Sequence, residues 1–547
     1  MRNFFKFLLY LVIILAAIIG IVYFGSEPII KNIVDEKLQE KKIAGIYQLH
    51  YKNAYINLLQ MGITITDIEL IPDSSIASKK LYKYQKNIAH LHIKRLTLSN
   101  IDILELINEK KVIVSSIKVI NPQLNYYKNN KYVGKPPVIE NETDEIELKK
   151  INLDKIIVRG LSINYFIDED KKADLTIGKT KISLTHPIID MTMITHPLDA
   201  ISLDDMQINI KDIKYQDDKG LYDFHVKDAE YVYKEHQFIL KNIKVKPNYN
   251  KKQFAAKHPY QSDRMDASIS QLTIAGLNFK KLIRQNIIAI SDVNIESLKL
   301  EVYRDKNYPT NNKKLPKLPQ QALRATKQKM EIENINIKNS HVVYLEKEEG
   351  KTAIGKVEFK EIQAKLHYLG NTKSWQKSKK LQVNIQALLY GKGKMNVDLD
   401  FPLSSSTFYF SGQVYKMPMS AFNKMSDPSA GVQINKGNLE KIEFQAKANN
   451  ISAKGNLSFY YSDLDISIHK KKKKSGEIKD AKFFSFLANS IFLPKSNPNK
   501  KGVFYVSTIE FERDQHKSIF NYLWKSIFSG LKDTLLKKHK KDQKKKK

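Results

Sequence analysis

The residues best suited to chemistry in this chain are two pairs of histidines. His186 and His196 each stand in a Thr-His-Pro triplet with an aspartate a few residues on, and His90 and His92 lie two apart, on one face of a strand. Imidazole and carboxylate groups are zinc ligands, but these spacings match no metal signature, and a following proline is typical of a strand end. We therefore predict no metal site.

Other catalytic signatures are not evident in the sequence. The chain has no cysteine, which excludes a thiolate nucleophile and disulfides. It lacks a glycine-rich phosphate loop, a Gly-x-Ser-x-Gly nucleophile turn and the His-Glu-x-x-His pair of metalloproteases. We expect a protein that is not an enzyme and takes no cofactor.

A long internal repeat is the clearest pattern in the chain. Residues 93–131 and 269–307 align without a gap, and after a proline-bearing break the match resumes with the offset increased by three residues. The recurring residues are apolar β-formers at period 2, which is typical of stacked modules that bury their apolar faces against neighbours. The aligned pairs include Leu96 with Leu272, Leu98 with Ile274, Ile117 with Val293, Val119 with Ile295, Leu153 with Ile332, Ile156 with Ile335 and Val158 with Ile337.

The pattern predicts a mainly β fold. We expect an N-terminal transmembrane helix, then an elongated, curved, repeat-built antiparallel β-sheet, and a C-terminal amphipathic helix at 518–536. The predicted segments are an anchor (1–25), a first helix and first strands (26–87), β-repeat module 1 (88–266), β-repeat module 2 (267–376), a C-terminal β region (377–514), and the amphipathic helix with a lysine-rich tail (515–547).

The predicted anchor is an uncharged apolar run from Phe7 to Phe24, preceded by Arg2 and Lys6. Its length is near the lower limit for a span, and the basic flank predicts that the following chain crosses the membrane. The alternative, a cleaved signal peptide, would have a shorter apolar core and a small-x-small cleavage site. The anchor residues are Phe7, Leu11, Ile14, Ile18, Val22 and Phe24.

The net charge of +33 comes almost entirely from lysine. Nucleic-acid binders rely on arginine forks and aromatic platforms, so we predict no nucleic-acid partner. Two basic runs, 470–474 and 537–547, are typical of a solvated loop and a disordered end, or of segments attracted to anionic lipid head groups. The head-group candidates are Lys537, Lys538, Lys540 and Lys541.

An apolar sheet face must be covered by a second layer, by closure on itself or by a ligand. Periodicity alone does not separate a core filled by its own side chains from an open trough that takes acyl chains. The lipid-contact candidates are Leu96, Leu98, Ile117, Val119, Leu272, Ile274, Val293 and Ile295.

Three features occur together in this chain: the basic-flanked anchor, the repeated strands with Asn121-Pro122, and a C-terminal block running from 449–457 through 459–464, Asn497-Pro498 and 511–514 to 518–525. In this arrangement the chain resembles the AsmA-like family of Gram-negative envelope proteins, and is similar to its DUF748-type members in Bacteroidetes.

The resemblance implies a single-pass inner-membrane protein with its bulk in the periplasm, where its β-sheet would form a U-shaped groove. It also implies binding or transfer of phospholipid and support of outer-membrane lipid homeostasis. The expected partners are phospholipid, the inner membrane and other envelope proteins. The alternative is a non-enzymatic envelope scaffold with a filled β core that binds other envelope proteins.

Overall fold

The computed structural model describes residues 47–57, 62–72, 87–101, 111–131, 150–167, 172–190, 193, 200–468 and 493–544. This part of the chain is 63% strand and 14% helix, which confirms the prediction of a mainly β fold. Within these ranges no helix combines the length and apolar character needed to cross a membrane. The predicted anchor at residues 7–24, with its six named residues, lies outside the described residues.

The chain divides into two compact units. The first comprises residues 1–244 with 282–285, and the second comprises residues 245–281 with 286–547.

The strands of the first unit pair in an order that follows the chain closely. Strands β1 and β2 both pair with β3, and β3, β4, β5 and β6 follow in order. Strands β7 and β8 pair with β6, β9 pairs with β8, and β10 joins β7 to β11. The bounds are β1 Tyr47–His50, β2 Asn53–Asn57, β3 Gly62–Pro72, β4 Asn87–Ile101, β5 Lys111–Lys128, β6 Lys150–Ile167, β7 Leu175–Thr185, β8 Ile188–Asp190, β9 Ile201–Ser202, β10 Asp205–Gln216 and β11 Tyr222–Val232, and β12 Gln237–Pro247 crosses the boundary between the units.

In the second unit β13 pairs with β14 and β15, and both of these pair with β16. Strands β16 to β23 then pair antiparallel in chain order. The bounds are β13 Asp263–Ala275, β14 Ile287–Glu296, β15 Lys299–Asp305, β16 Lys329–Lys347, β17 Ile354–Gly370, β18 Lys380–Leu389, β19 Gly393–Pro402, β20 Phe408–Pro418, β21 Val432–Ala448, β22 Ser452–Ile468 and β23 Val506–Glu512. The helices are α1 Lys251–Ala256, α2 Phe279–Gln285, α3 Pro319–Ala325, α4 Lys373–Ser378, a 3-10 turn at Met419–Phe422, α5 Asn423–Ala430 and α6 Ile519–Lys544.

The prediction of an antiparallel sheet holds for most of the described strand pairs but is wrong for three of them, so the sheet is mixed. Strand β5 pairs parallel with β6, and β14 and β15 pair parallel with β16. Parallel neighbours need a long crossover connection, and between β15 and β16 that connection runs over residues 306–328 and contains α3. The proline-bearing break of the second copy is therefore a crossover, and that of the first copy, at 135–137, lies outside the described residues.

The two copies of the repeat have the same strand pairing. In the first, Leu96 of β4 is opposite Val119 of β5, which is opposite Val158 of β6. In the second, the aligned residues Leu272, Ile295 and Ile337 make the same row across β13, β14 and β16. Left-handed backbone, which bends a strand at a bulge, also recurs at aligned positions: Asn100 with Gly276, Asn121 with Ser297, and Gly160 with Asn339.

The units differ in their cores. The buried core of the first unit consists only of aliphatic side chains from β1 and β3 to β8. The core of the second unit is rich in aromatic residues, including Phe401, Phe408, Phe410, Phe444 and Tyr522. It is centred on β18 to β23 and α6, so the repeat strands β13 and β14 lie outside it.

Matched leucines in the two copies test this difference in burial. Leu96 is 1% exposed, whereas the aligned Leu272 is only half-buried. We expect Leu96→Ala to lower the free energy of unfolding by about 2–5 kcal/mol and Leu272→Ala by about 1 kcal/mol, because only the first leaves a closed cavity. Chemical denaturation of the two variants beside the unsubstituted protein measures this, and equal losses would contradict it.

Candidate functional site

Two continuous rows of apolar residues cross the second unit on one face of its sheet. One runs over β13, β14 and β16 to β22 and the other continues to β23, a distance of roughly 40 Å at about 4.8 Å per strand. One row is Leu272, Ile295, Ile337, Ala364, Ile385, Val397, Gly412, Phe444 and Leu457. The other is Ile274, Val293, Ile335, Leu366, Val383, Leu399, Phe410, Ala446, Gly455 and Ile509. We call these two rows the apolar track.

The opposite face of the same strands carries polar side chains that bond across the strands. Asn336 Nδ2 donates to Asn294 Oδ1 at 3.0 Å, and Asn384 Nδ2 donates to Asp398 Oδ1 at 2.6 Å. On the neighbouring row, His367 Nδ1 lies 2.9 Å from Asn334 Oδ1. Successive side chains of a strand point to opposite faces, so the sheet separates a hydrated face from the apolar track.

Burial along the apolar track changes from one end to the other. Leu272, Ile274, Val293 and Ile295 are half-buried, and neither buried core within the described residues includes them. By contrast, Ile509 at the far end is fully buried. The four second-copy lipid-contact candidates thus lie together, at the less covered end of the track.

The four first-copy candidates have a different environment. Leu96, Leu98, Ile117 and Val119 are between 1% and 2% exposed and belong to the aliphatic core of the first unit. A core closed to this degree excludes water by its own packing. The repeat alignment predicts the same environment for the first-copy and second-copy candidates. In the structure the first-copy residues lie in a closed core and the second-copy residues lie on a half-covered surface.

Helix α6 covers the apolar track at β22 and β23. Its predicted apolar stripe packs against the core of the second unit, and Tyr522 is 2% exposed. At Gly530 a Cβ would lie 2.9 Å from Leu457 Cβ and 3.1 Å from Ile509 Cγ1, so the missing side chain allows the helix to approach the sheet closely. The stripe comprises Ile519, Tyr522, Leu523, Ile527, Leu531 and Leu535.

The same helix occupies the hydrogen-bonding edge of β23. The backbone N–H of Thr508 donates to Asp533 Oδ2 at 3.0 Å, and that of Glu510 donates to Ser529 Oγ at 3.3 Å. An open edge offers unpaired donors to any other strand. Helix α6 removes that opportunity, and neither Ser529 nor Asp533 was identified from the sequence, since a lone Ser or Asp on a helix carries no edge-capping signal.

The segment before α6 is tied to the crossover between β15 and β16. Arg513 Nη2 donates to the carbonyl of Pro316 at 2.5 Å, and Lys517 Nζ donates to Thr310 Oγ1 at 2.8 Å. Burial, together with the nearby charge of Arg304, lowers the pKa of Lys517. Helix α6 is therefore held at its start as well as along its length.

A buried carboxylate on β17 holds charged groups of the second unit together. Glu358 Oε1 lies 2.9 Å from His341 Nε2, and its Oε2 lies 3.2 Å from Lys356 Nζ. Burial opposes ionisation, but the hydrogen bonds from Lys356 and His341 and the charges of Lys356 and Lys360 outweigh it, so the pKa of Glu358 is lowered from its ordinary 4.5. Through His341, the Glu358 carboxylate therefore links β17 to β16.

The histidines that suggested metal binding have separate roles. His186 Nδ1 bonds to Asp204 at 2.7 Å, while His196 lies outside the described residues. His90 packs on the ring of Tyr127, and His92 Nε2 is 4.0 Å from an oxygen of Asp67. Across the described ranges, no three or more histidine, cysteine or carboxylate side chains are grouped to hold a metal ion.

Sequence reasoning missed part of the apolar track. Ile335 and Ile337 of β16 extend the rows beyond the named candidates, and the repeat alignment already paired them with Ile156 and Val158. Parallel pairing brings them next to Val293 and Ile295, so the missing information was strand direction. The head-group candidates Lys537, Lys538, Lys540 and Lys541 lie on the backbone of α6, and their side chains are outside the described part.

Comparison with known proteins does not identify a family. No protein-family model matches the chain, and no curated protein matches it.

Replacing Glu358 with glutamine tests its role at the β16–β17 pair. We expect Glu358→Gln to lower the free energy of unfolding by about 1–3 kcal/mol at pH 7, because the buried carboxylate loses its charge-assisted bonds to the part-exposed Lys356 and to His341. Since the folded-state pKa is lowered, the difference is present above pH 4.5 and shrinks as the pH falls through that lower pKa. Denaturation at pH 7 and in acid measures both values.

The matched control is Glu440→Gln, which removes an exposed carboxylate paired with Lys416. We expect it to change stability by less than about 0.5 kcal/mol at either pH. A Glu358 effect that is the same in acid as at pH 7 would show that the carboxylate does not act through its charge.

Proposed function

We propose that the protein is a non-enzymatic lipid-binding or lipid-transfer protein, which holds phospholipid acyl chains against the less covered end of the apolar track. The observation that carries this proposal is the half-burial of Leu272, Ile274, Val293 and Ile295 on a continuous apolar face. A face of this kind is stabilised by anything that removes it from water, and each methylene moved onto it gains about 0.8 kcal/mol.

The polar face of the same strands supports an orientation for the ligand. Asparagine and aspartate pairs such as Asn336 with Asn294 satisfy their hydrogen bonds across the strands. An acyl chain would therefore gain little binding free energy on the polar face and more on the apolar track. The width of the apolar track also suits such a ligand, because two adjacent rows of apolar side chains can contact one extended hydrocarbon chain that lies across the strands.

The proposal includes a cellular setting. The apolar run from Phe7 to Phe24 after Arg2 and Lys6, together with the resemblance to the AsmA-like family, supports a single-pass inner-membrane protein with its bulk in the periplasm of a Gram-negative bacterium. There an elongated U-shaped groove would carry phospholipid and support outer-membrane lipid homeostasis.

A second candidate function is an envelope assembly scaffold that binds other proteins. The closed aliphatic core of the first unit favours it, because Leu96, Leu98, Ile117 and Val119 already fill their own interior. If the second unit closes in the same way in the cell, the protein holds no lipid.

Site-specific photocrosslinking separates these functions. A photoreactive side chain at Ile274 or Ile295 is expected to form phospholipid adducts in cells, because both positions lie on the track. The matched controls are Asn294 and Asn336, on the opposite face of the same strands, and Leu96 in the closed core. Mass spectrometry of the purified adducts identifies the lipid.

The two functions predict different adducts. Phospholipid at Ile274 and Ile295 and none at the three control positions supports lipid binding. Protein adducts without phospholipid at both track positions would reject it in favour of the scaffold. Ile295→Asp, which places a charge on the track, is expected to reduce co-purified phospholipid several-fold, with circular dichroism checking that the fold is kept.

A further inference from the structure

The outward face of α6 carries an aromatic stripe. Phe520 is 78% exposed and Trp524 is 49% exposed, and Phe528 follows at the same spacing of four residues. The rings of Trp524 and Phe528 contact each other, with centroids 5.7 Å apart. Residues spaced by four lie on one side of a helix, so this stripe is opposite the side that packs on the sheet.

An exposed stripe of this kind differs from single apolar residues on a surface. Isolated exposed residues such as Tyr409 are ordinary in soluble domains. Here three aromatic side chains lie on one side of a helix, with Phe520 and Trp524 exposed and the rings of Trp524 and Phe528 in contact. An exposed apolar surface of this kind marks a place of contact with a partner or a membrane.

The charge of α6 favours a membrane over a protein partner. Between residues 519 and 541 the only carboxylate is Asp533, and it accepts the backbone N–H of Thr508 on the sheet side. The Lys525 ammonium lies 5.9 Å from the centre of the Phe528 ring. Beyond Leu536 the chain continues with eight lysines and one aspartate to its last residue.

We propose that the outward face of α6 docks onto a membrane surface that contains anionic phospholipid. Aromatic rings are favoured at the boundary between head groups and acyl chains. Lysines near an anionic surface each add attraction, and the sequence supplies them from Lys537 onward, after the stripe. This contact is independent of the apolar track, because the track faces the other side of the helix.

Tryptophan fluorescence tests the contact directly in the full-length chain. The sequence contains two tryptophans, so Trp375→Phe leaves Trp524 as the only reporter. The protein is held in phosphatidylcholine nanodiscs and mixed with vesicles of phosphatidylcholine alone or with one quarter phosphatidylglycerol. We expect a blue shift of Trp524 emission, and quenching by brominated acyl chains, with the anionic vesicles and much less with the neutral ones.

Two sets of substitutions separate the aromatic and the electrostatic contributions. Phe520→Ser combined with Phe528→Ser is expected to remove most of the quenching. Replacing lysines with glutamine at the head-group positions is expected to raise the vesicle concentration needed for half-maximal quenching about fivefold per lysine. The sets are Lys537, Lys538, Lys540 and Lys541 for the test and the exposed Lys373, Lys377, Lys392 and Lys394 for the control.

The outcomes are distinct from those of the lipid-track experiment. An emission spectrum of Trp524 that anionic vesicles leave unchanged would overturn membrane docking, whatever lipid the track holds. An equal loss of vesicle affinity in the test and control lysine variants would also overturn membrane docking by α6. That result would show only the general attraction of a basic protein to an anionic surface. Photocrosslinks from Phe520 to protein and none to lipid would assign the stripe to a protein partner instead.

Discussion

The need to keep the apolar face of a long sheet out of water governs the whole molecule. The first unit meets this need with its own side chains, since the residues on one face of β3 to β8 bury one another. The second unit meets it unevenly. Aromatic residues of β19 to β22 and the helix α6 cover the far end of its track, whereas β13 and β14 keep half-covered side chains. We propose that a bound acyl chain completes that cover.

The duplication shows how similar strands acquire different surroundings. Both copies keep the same pairing between strands, and both keep left-handed backbone at three aligned positions. A left-handed backbone is easiest for glycine and asparagine, and five of those six positions carry one of the two. Backbone geometry has therefore been retained while the cover over the apolar face has not. Leu96 and Leu272 occupy the same place in the pairing and differ in exposure.

The sequence was sufficient for features that depend on local periodicity. The strand content, the aligned rows of the repeat and the apolar stripe of α6 from Ile519 to Leu535 all follow from spacing along the chain. Strand direction does not follow from spacing, because a parallel and an antiparallel strand show the same alternation. That is why the mixed sheet, and with it the contribution of Ile335 and Ile337 to the track, was not predicted. The burial difference between the copies depends on what packs over each, which no local pattern contains. The aromatic stripe on the outer side of α6 was overlooked because its inner stripe satisfied the expected amphipathic pattern.

The hydrogen bonds from β23 to Ser529 and Asp533 have a consequence for assembly. Sheet proteins can polymerise when an edge strand of one molecule pairs with the open edge strand of another and leaves its own other edge open for the next molecule. On β23 the backbone N–H groups of Thr508 and Glu510 are already bonded to the protein's own helix, which opposes the addition of another strand along the middle of that edge. Contacts between molecules at that edge would therefore depend on side-chain surfaces instead of backbone pairing.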